Sequence, residues 1–193
     1  MLSWIRFPQP DFKKFVFLDR DGVINVDSPH YIKHRREFHF YPDALEAMRW
    51  LRENEIEPII ISNQSALGRG LLNWDEFWKI HELMVSRIRV EGGSILAAFY
   101  CPHRPEEGCS CRKPLPGMIL AASQLFGIRL SETFMIGDKI TDVQAGENSG
   151  CRSARISRIL SGFEERSSAL PPARTPEGHF HTLKGSLAAA YGG

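Results

Sequence analysis

Residues 14–25, KFVFLDRDGVIN, join a short apolar run to an acid, a cation, a second acid and a glycine. An apolar run of this length, closed by a turn signal, predicts a strand buried on both faces of a parallel sheet. Asp19 and Asp21 leave that strand directly into a turn at Gly22, where the backbone changes direction, so both carboxylates can face one small volume outside the sheet. Asp and Gly are also ordinary turn formers, and the other strand ends decide between a plain turn and a site.

Working outward, EPIIIS at residues 57–62, ILAAFYC at 95–101 and TFMIGD at 133–138 read as further buried strands. Helix signals lie between them. Pro42 suits a first helical position, with Leu45, Met48, Trp50 and Leu51 on the inner face. Asn73, with Glu76 following, resembles a capping box and opens a helix carrying Phe77, Ile80, Met84 and Ile88 inward, stopped by Gly92 and Gly93. Residues 116–126 and 140–149 read as helices ended by Gly127 and Gly150. This alternation predicts a single-domain, three-layer α/β fold: a Rossmann-like doubly wound parallel sheet with every strand's carboxyl end on one edge, where such folds bind ligands. The domain is expected over residues 12–193, with residues 1–11 as a loose lead-in. Toward the end, SARISRI reads as a strand, SSALPPARTPEG as a Pro-rich loop and LKGSLAAAY as a closing helix.

At 193 residues the chain is long enough for one sizeable core. Its formal net charge of +1 gives no global attraction to nucleic acid or a membrane surface, so any anion must be held by local groups. No apolar run approaches the ~20 residues that span a bilayer, and MLSWIRFPQPDFKKF lacks a signal-peptide core. A cytoplasmic protein is expected, monomeric by default, in which clustered cysteines indicate metal or redox chemistry rather than disulfides.

The remaining strands lead to Ser62 in ISNQS, to Arg112 and Lys113, and to Asp138 and Asp142 in GDKITD. A phosphate ester is dianionic and repels an attacking carboxylate; two unit charges ~4 Å apart at an effective dielectric near 20 interact by roughly 4 kcal/mol. A lysine and a hard divalent ion held by carboxylates answer that repulsion. In this order DRDG, the Ser of ISNQS, the Lys of CRKP and GDKITD resemble the four signature elements of the haloacid dehalogenase-like phosphohydrolases, and the resemblance covers roughly residues 15–150. It implies Asp19 as a nucleophile forming an aspartyl-phosphate and Asp21 as general acid and base. It also implies Ser62 and Lys113 on the phosphoryl oxygens, and a Mg2+ site from Asp19, the Asp21 backbone carbonyl and Asp138, with Asp142 as an orienting group.

Cys101, His103, Cys109 and Cys111 in YCPHRPEEGCSCRKP form a soft ligand set suited to a closed tetrahedral Zn2+ site, structural rather than catalytic, with residues 101–111 as its loop. A Cys109–Cys111 disulfide is geometrically poor, and Cys151 reads as a small buried hydrophobe. CPH…CxCRKP together with DRDGVIN resembles the zinc-containing, capless branch that includes the D-glycero-D-manno-heptose 1,7-bisphosphate phosphatases and the histidinol-phosphate phosphatases. The former imply substrate contacts from Asn63, Gln64, Ser65, Arg112 and Lys139, and a sugar-facing loop holding Asp27, His30 and Tyr31. The short RPEEG insert looks more like the latter, so both substrates stay open, with the heptose bisphosphate leading. His30 and His34 also read as surface residues, and Arg69 as a solvated cation. A nucleic-acid end phosphatase is opposed by the near-neutral charge. A non-catalytic zinc-stabilised module is opposed by the complete acidic and basic set. The expected partner is a small phosphorylated sugar, with no nucleic acid and no membrane.

Overall fold

In β2 (Lys14–Leu18), Val16 and Leu18 face one helical layer and Phe17 the other, and this alternation sets the layering of the whole molecule. The computed structural model describes residues 1–6, 14–157 and 179–191. Besides β2, its sheet contains β1 (Leu2–Ile5), β3 (Ile56–Asn63), β4 (Ala97–Cys101), β5 (Phe134–Gly137), β6 (Arg152–Ile156) and β7 (His179–Phe180). The order is β1-β4-β3-β2-β5-β6-β7, with every neighbouring pair parallel except β1 on β4. Helices α1 (Pro42–Glu53), α3 (Trp74–Val90) and α6 (Leu183–Tyr191) pack through Met48, Leu51, Phe77, Ile80 and Leu187 against Val16, Leu18, Ile60 and Ile136. Helices α4 (Gly117–Phe126) and α5 (Ile140–Ser149) cover Phe17, Ile59, Ile61 and Met135 on the opposite face. The expected three-layer, doubly wound α/β architecture is therefore present, and a single turn, α2 (Ser65–Gly68), follows β3.

Local signals act where the residues place them. Pro42 opens α1, the Asn73 side chain accepts from the Glu76 N–H at 2.8 Å, and Gly127 and Gly150 end α4 and α5 in the left-handed region. The inner stripe of α1 differs from the expected one: Ala44, Ala47, Met48 and Leu51 are buried, while Leu45 and Trp50 only flank the core. Spacings of three and four residues from Met48 and Leu51 lead to the alanines, whose small side chains let the helix approach the sheet. LKGSLAAAY does form the closing helix, and SARISRI contributes β6, whereas SSALPPARTPEG lies outside the described residues.

The expectation of a loose lead-in is corrected over residues 2–5, which form β1 on the edge of β4, with Leu2 and Trp4 turned toward the core. A four-residue strand just ahead of two prolines is too short to read from periodicity. Arg6 extends this docking: its N–H donates to the Leu96 carbonyl at 2.7 Å, its Nε to Ile95 O at 3.0 Å, and its Nη2 pairs at 2.6 Å with the buried Glu57. Among the described residues no helix is long and apolar enough to cross a membrane.

From β2 the chain first winds through β3 and β4 and then returns to β5 and β6 on β2's other side, so the order reverses at β2. The crevice at the carboxyl ends of β3, β2 and β5 is the topological switch point, where this architecture binds ligands. Removing one partner of a buried ion pair is strongly destabilising. Because Arg6 keeps a third of its side-chain exposure, Arg6→Met is expected to lower stability by about 2–3 kcal/mol. Chemical denaturation should show most of that loss recovered in the double variant Arg6→Met/Glu57→Met, which removes both charges.

Candidate active site and thiol cluster

The Asp19 N–H donates to the Ile136 carbonyl at 2.9 Å, extending the β2–β5 pairing by one residue and fixing Asp19 at the sheet edge. Beyond it the Arg20 carbonyl accepts from the N–H groups of Val23, Ile24 and Asn25 at 3.4, 2.8 and 3.2 Å, which closes DRDGVIN into a tight turn. Gly22 is required there twice over. Its φ is 85°, and a Cβ at this position would lie 2.2 Å from Asp138 Oδ2.

Lys113 is the hub. Its buried ammonium lies 2.9 Å from Asp19 Oδ1 and 2.6 Å from Asp142 Oδ1, and donates to the Ile61 carbonyl at 2.7 Å. The loop carrying it is tied to the end of β3 by a reciprocal pair, Asn63 Nδ2 to Lys113 O and Lys113 N to Asn63 Oδ1, both 3.1 Å. Carboxylate atoms of Asp19, Asp138 and Asp142 all lie within 4.8 Å of one another. Burial pushes the Asp19 carboxyl up to about 7, against the opposing pull of Lys113 and with a further push from Asp142, Asp138 and Asp21. Asp138 is raised to about 6, again chiefly by burial, and its Oδ1 is buried with no hydrogen-bond partner. Crowded, partly unsatisfied carboxylates of this kind fit a hard divalent cation with oxygen ligands. Asp142 is already engaged, since its Oδ2 also accepts from the Lys139 N–H at 2.9 Å.

Asp21 has the opposite environment. Burial acts to raise it, but the Arg20 guanidinium and hydrogen bonds from Asn25, Arg20 and Gln64 hold its carboxyl below the usual range. Oδ1 accepts from Arg20 Nε at 3.2 Å, Arg20 Nη2 at 3.0 Å and Asn25 Nδ2 at 2.9 Å, while Oδ2 accepts from Arg20 Nη2 at 2.9 Å and Gln64 Nε2 at 2.8 Å. Sequence reasoning passed over Arg20 and Asn25. The available signal was a cation set between two acids of a strand-end turn.

Asp19, Arg20, Asp21, Lys113 and Asp142 line a cleft of about 300 Å³ that also receives Ser62, Asn63, Gln64, Ser65, Arg112, Lys139, Asp27 and Tyr31. Ser62 Oγ accepts from Gln64 Nε2 at 3.0 Å. At the mouth, Lys139 donates to Asp27 Oδ2 at 2.8 Å, and Tyr31 adopts a positive φ of 65°. His30 lies instead on a neighbouring hollow, and His34 Nε2 is 3.5 Å from Glu76 Oε1 on the surface. Arg69 faces Glu106 at 3.8 Å. The structure thus brings together every expected catalytic residue and all but one of the expected substrate contacts.

Beside the cleft, Cys101 Sγ lies 3.5 Å from His103 Nδ1 and 3.6 Å from Cys109 Sγ, and Cys111 Sγ lies 3.3 Å from the same nitrogen and 3.6 Å from Cys109 Sγ. All four cysteines are free thiols, with Cys151 buried apart from this group. Gly108, in the left-handed region, supplies the loop's reversal. The cluster is stitched to the site: Gln64 N donates to Cys101 O at 2.7 Å and Arg112 Nη1 to His103 O at 3.1 Å.

Comparison with known proteins follows the same lines. Residues 110–185 match a family model described as "HAD-hyrolase-like". The D-glycero-beta-D-manno-heptose-1,7-bisphosphate 7-phosphatase of Bordetella bronchiseptica is 38% identical over 138 residues, covering 72% of this chain and 77% of its own. The protein of that name from Pseudomonas aeruginosa is 35% identical over 144 residues, covering 75% and 81%. The crystal structure of the B. bronchiseptica D,D-heptose 1,7-bisphosphate phosphatase, complexed with magnesium and phosphate, superposes with a TM-score of 0.73 at 36% identity, covering 74% of this chain and 80% of that one. The chain belongs to the haloacid dehalogenase-like hydrolases, in the group that holds these heptose bisphosphate phosphatases.

Proposed function

We propose that this chain is a Mg2+-dependent phosphomonoesterase, acting in the cytoplasm, that removes the 7-phosphate of D-glycero-D-manno-heptose 1,7-bisphosphate. The observation that carries the reading is the buried Lys113 ammonium between Asp19 and Asp142 at the sheet edge, in a chain 35–38% identical to relatives bearing that name. An Asp19 oxygen attacks phosphorus as the bond to the sugar oxygen breaks, and a proton from Asp21 passes to that oxygen. Water then attacks the aspartyl-phosphate, Asp21 takes its proton, and inorganic phosphate leaves with Asp19 regenerated. Ser62 and Lys113 hold the phosphoryl oxygens through both steps, offsetting the repulsion between anionic substrate and anionic nucleophile.

Asp19 and Asp138, with the Asp21 carbonyl, would hold Mg2+, and Asp142 would orient them through Lys113. When bound, the ion supplies positive charge to neutralise Asp19 and the phosphoryl group. The guanidinium and amide donors around Asp21 favour its ionised form, which suits the second half of the cycle. For the first half it must carry a proton, so one of its donors gives way when substrate is seated. Gln64 fills that role in this reading, because its Nε2 is shared between Asp21 and Ser62 inside the cleft. Arg112, Lys139, Asp27, Tyr31, Asn63 and Ser65 are assigned to the sugar.

Zn2+ is the assignment for Cys101, His103, Cys109 and Cys111. Ligands ~2.0–2.3 Å from a tetrahedral centre stand about 3.5–3.8 Å apart, close to the 3.3–3.6 Å separations of the cluster. Burial pushes the Cys101 thiol up to about 12, so its thiolate requires a compensating cation. The zinc would fix the loop that delivers Arg112 and Lys113. Histidinol phosphate is the second substrate reading, favoured by the short turn Pro105–Glu107 between the ligands.

Assays with Mg2+ on the heptose bisphosphate, histidinol phosphate and a panel of other phosphate esters should show the highest kcat/KM on the first; equal weak activity on all would refute the substrate assignment. Asp19→Asn is expected to lower kcat by roughly 10³-fold or more while circular dichroism stays unchanged. For the thiol cluster, metal analysis should find one zinc per chain. A strong chelator or Cys109→Ser should lower the melting temperature by about 5–10 °C, corresponding to about 2–3 kcal/mol in a chain of this size.

A further inference from the structure

Arg20 is among the most deeply buried large side chains in the molecule, at 1% exposure, yet it is a cation. Its charged partner is Asp21, which its fork grips through Nε and Nη2. Its Nη1 is buried with no hydrogen-bond partner, and the face of Phe38 lies 5.8 Å from its guanidinium carbon. Behind it stands a wall of buried rings: Phe77 and His81 pack edge-on against Tyr100, whose hydroxyl meets His81 Nδ1 at 2.8 Å. Burying a guanidinium that leaves one of its nitrogens unsatisfied is expensive. A neutral side chain would fill the same space at lower cost, so the cation is explained by what it does to Asp21 rather than by packing.

We infer that Arg20 is a positioning residue for leaving-group protonation: it fixes the plane and direction of the Asp21 carboxyl group that serves the departing oxygen. Asn25 supports the same oxygen, Oδ1, from within the turn. A two-pronged grip sets orientation as well as distance, which the single point charge of a lysine does not. This rests on the assignment of Asp21 as proton donor made above.

The test uses phosphate esters of graded leaving-group basicity, from p-nitrophenyl phosphate to alkyl phosphates, and reads kcat/KM, which reports the steps up to bond breaking. Asp21→Asn should slow the alkyl esters by about 10²-fold or more and the nitrophenyl ester far less, because only the alkoxide needs a proton. Arg20→Lys should show the same selective slowing, about 10-fold or more on alkyl esters and within about threefold on the nitrophenyl ester, and should add almost nothing in the Asp21→Asn background. Should Arg20→Lys not fold, Arg20→Gln, which keeps an amide donor, carries the same comparison. Uniform slowing of all esters, no slowing, or full additivity with Asp21→Asn would overturn the inference and leave Asp21's role intact. If Asp21→Asn itself shows no dependence on the leaving group, the underlying assignment falls, and the inference with it.

Discussion

One buried ammonium holds this edge of the sheet together. Lys113 sits between carboxylates from the ends of β2 and α5, and its remaining hydrogen bond goes to a carbonyl of β3. Without it, Asp19, Asp138 and Asp142 would crowd one small volume as uncompensated like charges, at an effective several kcal/mol per buried ion. The architecture around the site follows from having to deliver that lysine. Its backbone is locked to Asn63, and the loop before it carries the thiol cluster, whose Cys101 is the last residue of β4. The thiol cluster and the acidic cluster are therefore joined through one loop, which begins among the cysteines and ends with the ammonium that the acids receive.

The same turn holds two carboxylates in opposite electrostatic states. Asp19 is driven up by burial among its neighbours, and Asp21, two residues on, is held down by a guanidinium and two amides. Environments that push a pair of acids apart assign them different tasks. The nucleophile role proposed for Asp19 needs an ionised carboxylate, and the crowding that raises Asp19 is opposed by the ammonium of Lys113 beside it. Asp21 is held from within the turn by Arg20 and Asn25, where the Arg20 carbonyl also ties down the rest of the loop, and from the cleft by Gln64.

Much of this was legible in the sequence because strand ends are marked by abrupt changes in residue type. The run FVFL followed by DRDG, the apolar run before ISN, and FMIG before DKITD each name both a strand and the side chains it aims at the cleft, and the topology then brings them together. Helix termini were equally clear at Pro42, Asn73, Gly127 and Gly150, since each carries its own local hydrogen-bonding or dihedral logic. What escaped notice has a common cause. Arg20, Asn25 and His81 are polar residues whose burial is decided by tertiary packing; the acids on either side of Arg20 mark it as a cation with a partner, but do not tell a buried guanidinium from a solvated one. β1 was missed because a strand of four residues gains its stability from the edge it joins, not from its own pattern.

Ligand chemistry divides the metal-ligating side chains of the described residues into two clusters of opposite character. Oxygen donors crowd at the ends of β2 and β5, where hard, strongly hydrated cations are favoured; thiols and an imidazole gather at and past the end of β4, where softer ions are favoured. Space is partitioned as strictly as chemistry. A Cβ on Gly22 would fall on the Asp138 carboxylate, and one on Gly137 would lie 2.2 Å from Asp142 Cβ, so the acidic side chains occupy room that only glycine leaves open. Those glycines leave room for the oxygen donors close against the strand ends, whereas the thiols gather on the loop that follows β4. The carboxylate set lacks the soft donors that a zinc-like ion favours, and the sulfur-rich set lacks the oxygen ligands that a hard, strongly hydrated cation needs, so each cluster selects its own class of ion.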